Sequence, residues 1–316
     1  MDFNNEKEPL LSKDYFPLEI NEISIKGEQK SYKQILDKSC SYSDIFENLF
    51  FCCINYDLTK RQYDLYIDFR NKLSVPYNHE DVNHENILQD FFNNLKEIFS
   101  DEEKDIIENL NDSNTISTNI NNEINDNNFN KQLAKKIGFQ NNNPRSDFRA
   151  GGLSSLEFMN YFIIHHKVEL KEILKEKYFN FALTCINLSF LIRLSLYLTH
   201  IINIDATLKS YHLKGFTRKQ IKNFAEHLLK ESKSEKDFLF SLISQCLIFI
   251  FKTYQNRLKY DKNEESFVKI NLLIKEAIFY FGETLNFTNK DENLEEKLRF
   301  KLAKELIDKA HKIKLN

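Results

Sequence analysis

The chain has 316 residues, a hydrophobic share of 41% with 28 Phe and 14 Tyr, yet only six Gly and four Pro. That apolar content is ample for a core, and the lack of turn residues excludes a sandwich or barrel, which needs a turn about every ten residues. A formal net charge of -3, from 44 basic and 47 acidic side chains, together with the absence of a basic stripe interleaved with aromatics, points away from nucleic acid.

Long periodic segments with few breakers predict an all-α protein. Residues 1–58 read as a variable N-terminal extension, in which Ile20, Ile23 and Ile25 alternate loosely and Ser43 opens a helical pattern. The main helical domain is expected over 59–284. Thr59 and Gln62 form a capping box for its first helix, with Tyr63, Tyr66, Ile67 and Leu73 on the apolar side. Pro76 ends that helix. Asn83 is the expected N-cap of the next, whose stripe is Ile87, Leu88, Phe91, Leu95, Ile98 and Phe99. A short helix is expected over 101–110. Residues 111–130 are dominated by Asn and predict a disordered insert, which a fold tolerates because loop entropy grows slowly with length.

Beyond the insert, Ser154 and Glu157 read as a second capping box, leading into LEFMNYFIIHH. Further helices are expected at about 181–201, 217–230, 237–256, 264–283 and 291–314. Residues 285–316 form a C-terminal amphipathic helix, with Leu294, Leu298, Leu302, Leu306 and Ile313 against Lys and Glu. Two apolar runs, 181–198 and 238–251, are tested against a membrane span of roughly 20 residues. The first carries Asn187 and Arg193, and the second is too short, so both are expected to be core helices.

Chemical motifs are few. Cys40, Cys52, Cys53, Cys185 and Cys246 form no CxxC pair, which leaves no zinc ribbon or redox motif and suits a reducing compartment. HEDVNHE lacks a His at the fourth place after His79, where Asn83 stands, so it is not a zincin motif. His165 and His166 are adjacent and diverge on a helix. No phosphate-cradling GxxxxGK loop and no GxSxG elbow is present. The N-terminus MDFNNEKEPL has no apolar signal segment, and HKIKLN carries no prenylation box. A cytoplasmic location is expected, peripheral to endomembranes at most.

One loop stands apart. GFQNNNPRSDFRAGG, 138–152, holds three of the six glycines, a proline, and Arg149 between Phe148 and Ala150. A glycine-rich turn at a helix entrance allows close approach of a ligand or another backbone. The guanidinium of Arg149 offers five donors in a planar fork suited to carboxylate or phosphate. The residues admit two readings: an anion-facing arginine, or a buried structural ion pair with an acidic neighbour such as Asp147.

The stretch GFQNNNPRSDFRAGGLSSLEFMNYF resembles the signature of the ELMO (engulfment and cell motility) domain. Gly138, Phe139, Gln140, Pro144, Ser146, Asp147, Phe148, Arg149, Gly152, Leu153, Leu156, Tyr161 and Phe162 occupy the matching positions. VPYNHEDVNHENILQDFFNNL, FNFALTCINLSFLI and DFLFSLISQCLIFIFKTY are similar to other segments of the family, in the family's order. The usual Trp before Gly-Phe-Gln falls on Ala134 and the Gly after the Arg on Ala150.

The resemblance implies an all-α, multi-helix fold. Short members, of the ELMOD type, are GTPase-activating proteins for Arf and Arf-like small GTPases, and the motif arginine, here Arg149, is the implied catalytic finger. Gly138, Gln140, Pro144, Asp147, Gly151 and Gly152 would support its loop. Magnesium and GTP would belong to the partner, so no cofactor of its own is implied. Larger members are adaptors for Dock-type exchange factors, which gives the alternative of a non-catalytic scaffold. Phe139, Phe148, Leu153, Leu156 and Phe162 are expected in the core rather than at a contact.

Overall fold

The computed structural model describes residues 58–100, 130–140, 143–201, 203–230, 234–260, 270–289 and 291–315. The loosely alternating isoleucines, the Ser43 helix, the short helix at 101–110 and nearly all of the Asn-rich stretch lie outside these residues. All described residues belong to one compact unit, Cys52–Asn316. Among them are helices and connections only, with no strand.

The first two helices are α1, Lys60–Leu73, and α2, Val82–Ser100. The capping box of α1 forms as expected: Gln62 N–H donates to Thr59 Oγ1 at 3.3 Å, and Thr59 N–H to Gln62 Oε1 at 2.7 Å. The buried face of α1 is Gln62, Tyr66, Phe69, Arg70 and Leu73, so the apolar stripe is rotated toward Phe69 and leaves Tyr63 and Ile67 half-buried. At α2 the expected cap is displaced. Asp81 Oδ1 accepts from Asn83 N–H at 2.8 Å, which places Asn83 inside the helix and gives Asp81 the cap's task. A helical segment over 130–136 leads into the glycine-rich loop.

Eight helices follow: α3, Phe148–His165; α4, Lys167–Lys175; α5, Phe181–Ser195; α6, Ile204–Ser210; α7, Arg218–Lys230; α8, Glu235–Tyr260; α9, Ile270–Phe287; and α10, Leu294–Leu315. A 3-10 turn, Pro144–Asp147, runs directly into α3. The short helices α4 and α6 were not expected, because each is too brief to show several turns of periodicity.

Helix α5 is the axis of the fold. All of its 15 residues are buried except Asn187. Helix α3 packs along it on one side and α8 and α9 on another, while α1 and α2 cover α3. Aromatic side chains fill the seams: Phe162 meets Phe181 at 5.7 Å and Phe158 meets Phe240 at 5.8 Å between ring centroids. Phe139, Phe148, Leu153, Leu156 and Phe162 are all buried, as expected. The span Glu235–Leu258 is long and apolar enough to cross a membrane by composition, but 78% of its most apolar window is covered by the rest of the fold. That burial matches the expected core helix.

The last two helices are integral to this unit. The boundary drawn at residue 285 falls within α9. Helix α10 lies against both α8 and α9, burying Leu294, Leu298 and Leu302. Lys309 reaches Glu276 and lies 5.3 Å from the Phe249 ring centre. Burying a leucine stabilises by about 2 kcal/mol, and truncation adds a cavity term. Leu298→Ala is therefore expected to lower the unfolding free energy by about 2–5 kcal/mol in denaturant melts monitored by circular dichroism. Loss of less than about 0.5 kcal/mol would mean that α10 is only loosely attached.

Candidate functional site

The site grows from the turn at the end of the 130–136 segment. Gly138 has φ +91°, and a Cβ there would lie 2.6 Å from Asn180 Cα, so the backbone presses directly on the entrance of α5. Ala182 N–H donates to Ile137 O at 2.9 Å across the same seam. Ala134, at the position of the family's Trp, is fully buried, and its carbonyl accepts from Phe139 N–H at 3.0 Å.

The loop then closes on itself. Asp147 Oδ2 accepts from the backbone N–H of Gln140 at 2.7 Å, joining the two ends of the turn. Burial pushes the Asp147 carboxyl above its usual range, and the hydrogen bonds from Gln140 and Ser146 oppose that shift. The Gln140 side chain itself is exposed. Asn143 caps the 3-10 turn by accepting from Arg145 N–H at 3.2 Å, and buried Pro144 fills its first position. Arg145 is committed elsewhere, with Nε 2.8 Å from Glu85 Oε1 and Nη2 on Glu85 Oε2. Tyr77 O–H donates to the same carboxylate at 2.6 Å. The Arg145 pair, followed by the Tyr77 bond, holds the Glu85 carboxyl below its ordinary range against partial desolvation.

Arg149 differs from its neighbour. Its side chain is exposed, and its Nε donates to the carbonyl of Ser146 at 3.0 Å. No carboxylate among the described residues forms an ion pair with it. Asp147, the expected orienting partner, instead spends its hydrogen bond on Gln140 and contributes only the attraction of a nearby charge. Of the two readings the residues admit, the geometry is that of an open arginine rather than a buried ion pair.

Behind Arg149 the backbone is braced. Helix α3 is broken after its first turn by Gly152, at φ 62° and ψ -168°. A Cβ at Gly152 would lie 2.7 Å from Val75 O, and that oxygen accepts from Leu153 N–H at 3.0 Å. This bond replaces the expected Ser154–Glu157 capping box. Ser154 Oγ is buried without a partner, and Glu157 holds Lys236 Nζ at 2.6 Å. The reason is geometric: the kink hands the first free N–H of the helix to the Val-Pro turn, so no side-chain cap is required.

A third arginine ties these parts together. Arg193 of α5 is fully buried and donates from Nη1 to Leu73 O at 2.8 Å, from Nη2 to Gly151 O at 2.5 Å and from Nε to Ser189 O at 3.2 Å. Nη2 also lies 3.3 Å from Ser155 Oγ. Burial pushes its pKa down to about 10, partly offset by the charge of Glu157, so it remains a cation at neutral pH. Sequence reasoning registered Arg193 only as a charge inside an apolar run. That anomaly was the available signal for its role.

Among the described residues the arrangement offers an exposed cation with no carboxylate partner, Arg149, on a braced turn. Among the described residues no group of three or more His, Cys, Asp or Glu gathers as a metal site. His84 accepts from Asn78 N–H through Nδ1 at 3.0 Å and stacks on Tyr77, and His166 stacks on Phe162. Against known proteins, the family model described as ELMO/CED-12 family matches residues 67–271. No curated protein and no solved structure matches the chain.

Two substitutions test the brace. Gly152→Ala places a side chain in a conformation open essentially to glycine alone and against a carbonyl, and is expected to cost about 2 kcal/mol or more in denaturant melts. Arg193→Met removes the charge and takes this donor from three backbone carbonyls, of which Gly151 O keeps Ser155 Oγ, and a buried acceptor left unmet costs about 1–3 kcal/mol. A net loss of about 2 kcal/mol is expected after the relief of burying a cation. An equally stable Arg193→Met protein would show that the clamp contributes nothing.

Proposed function

The chain belongs to the ELMO/CED-12 family, and on that premise we propose that it is a GTPase-activating protein for an Arf or Arf-like small GTPase, with Arg149 as its finger. Proteins of this family are associated with small-GTPase pathways. The observation that carries the reading is the exposure of Arg149 on a turn held by buried contacts, with its Nη groups unclaimed among the described residues.

In GTP hydrolysis, negative charge develops on the bridging and γ-phosphate oxygens as the phosphoryl group leaves. A guanidinium supplied in trans stabilises that charge and is worth roughly 10³- to 10⁵-fold in rate. Here the Ser146 carbonyl fixes Nε, which leaves the terminal donors to enter the partner's site. Asp147 and Gln140 close the loop, Pro144 stiffens it, and Gly151 and Gly152 permit the tight passage into α3. The nucleotide, the magnesium ion and the attacking water belong to the partner. The protein works in the cytoplasm, and its GTPase would bring it to a membrane.

Single-turnover GTP hydrolysis by a panel of Arf and Arf-like GTPases tests this. Wild type is expected to accelerate one of them by about 10³-fold or more. Arg149→Lys should lose nearly all of that acceleration and melt within about 0.5 kcal/mol of wild type, because the side chain is at the surface. Full activity of Arg149→Lys ends the finger assignment. Binding of GTP-loaded GTPase without any acceleration by wild type would instead identify a scaffold, of the kind that recruits a Dock-type exchange factor.

A further inference from the structure

Between Asp205 and Glu226 the chain carries four lysines and one arginine and no acidic residue, although its formal net charge is -3. The structure gathers this run into one corner, where α6 ends, a short turn follows, and α7 begins. The turn is tight: His212 N–H donates to Lys209 O at 2.9 Å and Leu213 N–H to Leu208 O at 2.9 Å. Phe216 N–H anchors it to Ser195 O at 2.8 Å. Lys209, Lys214, Arg218 and Lys219 are exposed and Lys222 is half-buried. None of the five has an acidic partner among the described residues.

Two local features make this concentration of charge unfavourable for the fold alone. Arg218 and Lys219 sit in the first turn of α7, where the helix dipole disfavours cations. Arg218 and Lys222 lie one turn apart and repel. The backbone at that end is closed by a capping box, with Thr217 N–H donating to Gln220 Oε1 at 2.7 Å and Gln220 N–H to Thr217 Oγ1 at 3.3 Å. The unmet demand is therefore positive potential carried by long side chains, and its complement is an extended anionic surface.

We propose that this corner docks the protein on an anionic lipid bilayer. A bilayer suits it better than nucleic acid because the phenylalanines of the run are buried. Phe216 is buried against Phe281, Phe224 is fully buried, and half-buried Tyr211 packs on Phe190 at 6.4 Å between ring centres, so the run presents no row of exposed rings for base stacking. The attraction is diffuse, roughly fivefold in partitioning per basic residue near the surface. It does not depend on Arg149 or on the GTPase reading, and its success or failure leaves that reading untouched.

The test is co-sedimentation of the full chain with vesicles of phosphatidylcholine alone and with about 30% phosphatidylserine, whose negative surface potential is the proposed attractant. Binding is expected only with phosphatidylserine and is expected to vanish at about 0.5 M salt, where screening shortens the range to a few ångströms. Arg218→Gln with Lys219→Gln should weaken partitioning by about 25-fold. Lys167→Gln with Lys175→Gln, the same change in net charge on exposed positions of α4, should leave it unaltered. Both double variants are checked for unchanged melting. No binding to the anionic vesicles, equal binding to neutral ones, or equal loss in the two double variants would overturn the proposal. So would patch-dependent binding of an oligouridylate with no vesicle binding, which would assign the corner to nucleic acid.

Discussion

The architecture around the glycine-rich loop depends on one buried cation. Among the described residues Arg193 has no carboxylate in contact, and an ion taken out of water costs several kcal/mol unless its donors are met. They are met by carbonyls of Leu73, Gly151 and Ser189, with Ser155 Oγ nearby. These acceptors come from the end of α1, the glycine pair, α3 and α5 itself. Apolar packing between these elements fixes distance but not register, and Arg193 adds to the few polar links there, among them Leu153 N–H to Val75 O and Ser155 Oγ to Ser189 Oγ. Directional bonds from a single planar group fix both. The turn that bears Arg149 is held by that clamp together with the Leu153–Val75, Asp147–Gln140 and Arg145–Glu85 bonds.

Three arginines in this region illustrate how environment assigns roles to one side chain. Arg193 is surrounded by backbone oxygen and serves as a structural fork. Arg145 lies on the same loop as Arg149 but within reach of Glu85, and it becomes half of a bidentate pair. Arg149 is exposed, and among the described residues its hydrogen bond runs to the Ser146 carbonyl. A residue count cannot separate these cases, because the distinguishing partners are 60 residues away for Arg145 and 120 for the Arg193–Leu73 bond.

Local features were legible in the sequence and distant ones were not. The capping box at Thr59, the core identity of Phe148 and Phe162, and the burial of the 238–251 run follow from spacing and composition, and the structure has them. The second capping box is absent because Val75 O, far along the chain, supplies what a cap would have supplied. Asn83 lost its place to Asp81 by two residues, a shift that side-chain competition decides rather than hydrophobic period. The Val-Pro turn and the Gly-Gly pair were visible separately as turn signals. Only folding shows that the first accepts the N–H of Leu153, the residue that follows the second. The match of the family model ends at residue 271, whereas the core continues through Leu302, so the C-terminal pair of helices completes a hydrophobic surface that the shared segment leaves open.

The tether of Arg149 through Nε also restricts how it can greet an anion. A guanidinium has two usable edges: a lateral one shared by Nε and one terminal nitrogen, and a distal one between the two terminal nitrogens. With the lateral edge already turned toward Ser146, an incoming oxyanion must meet the distal edge, head-on along the axis of the side chain. A molecule that engaged Arg149 without breaking this bond would need an acceptor facing the end of the side chain rather than a flat flank.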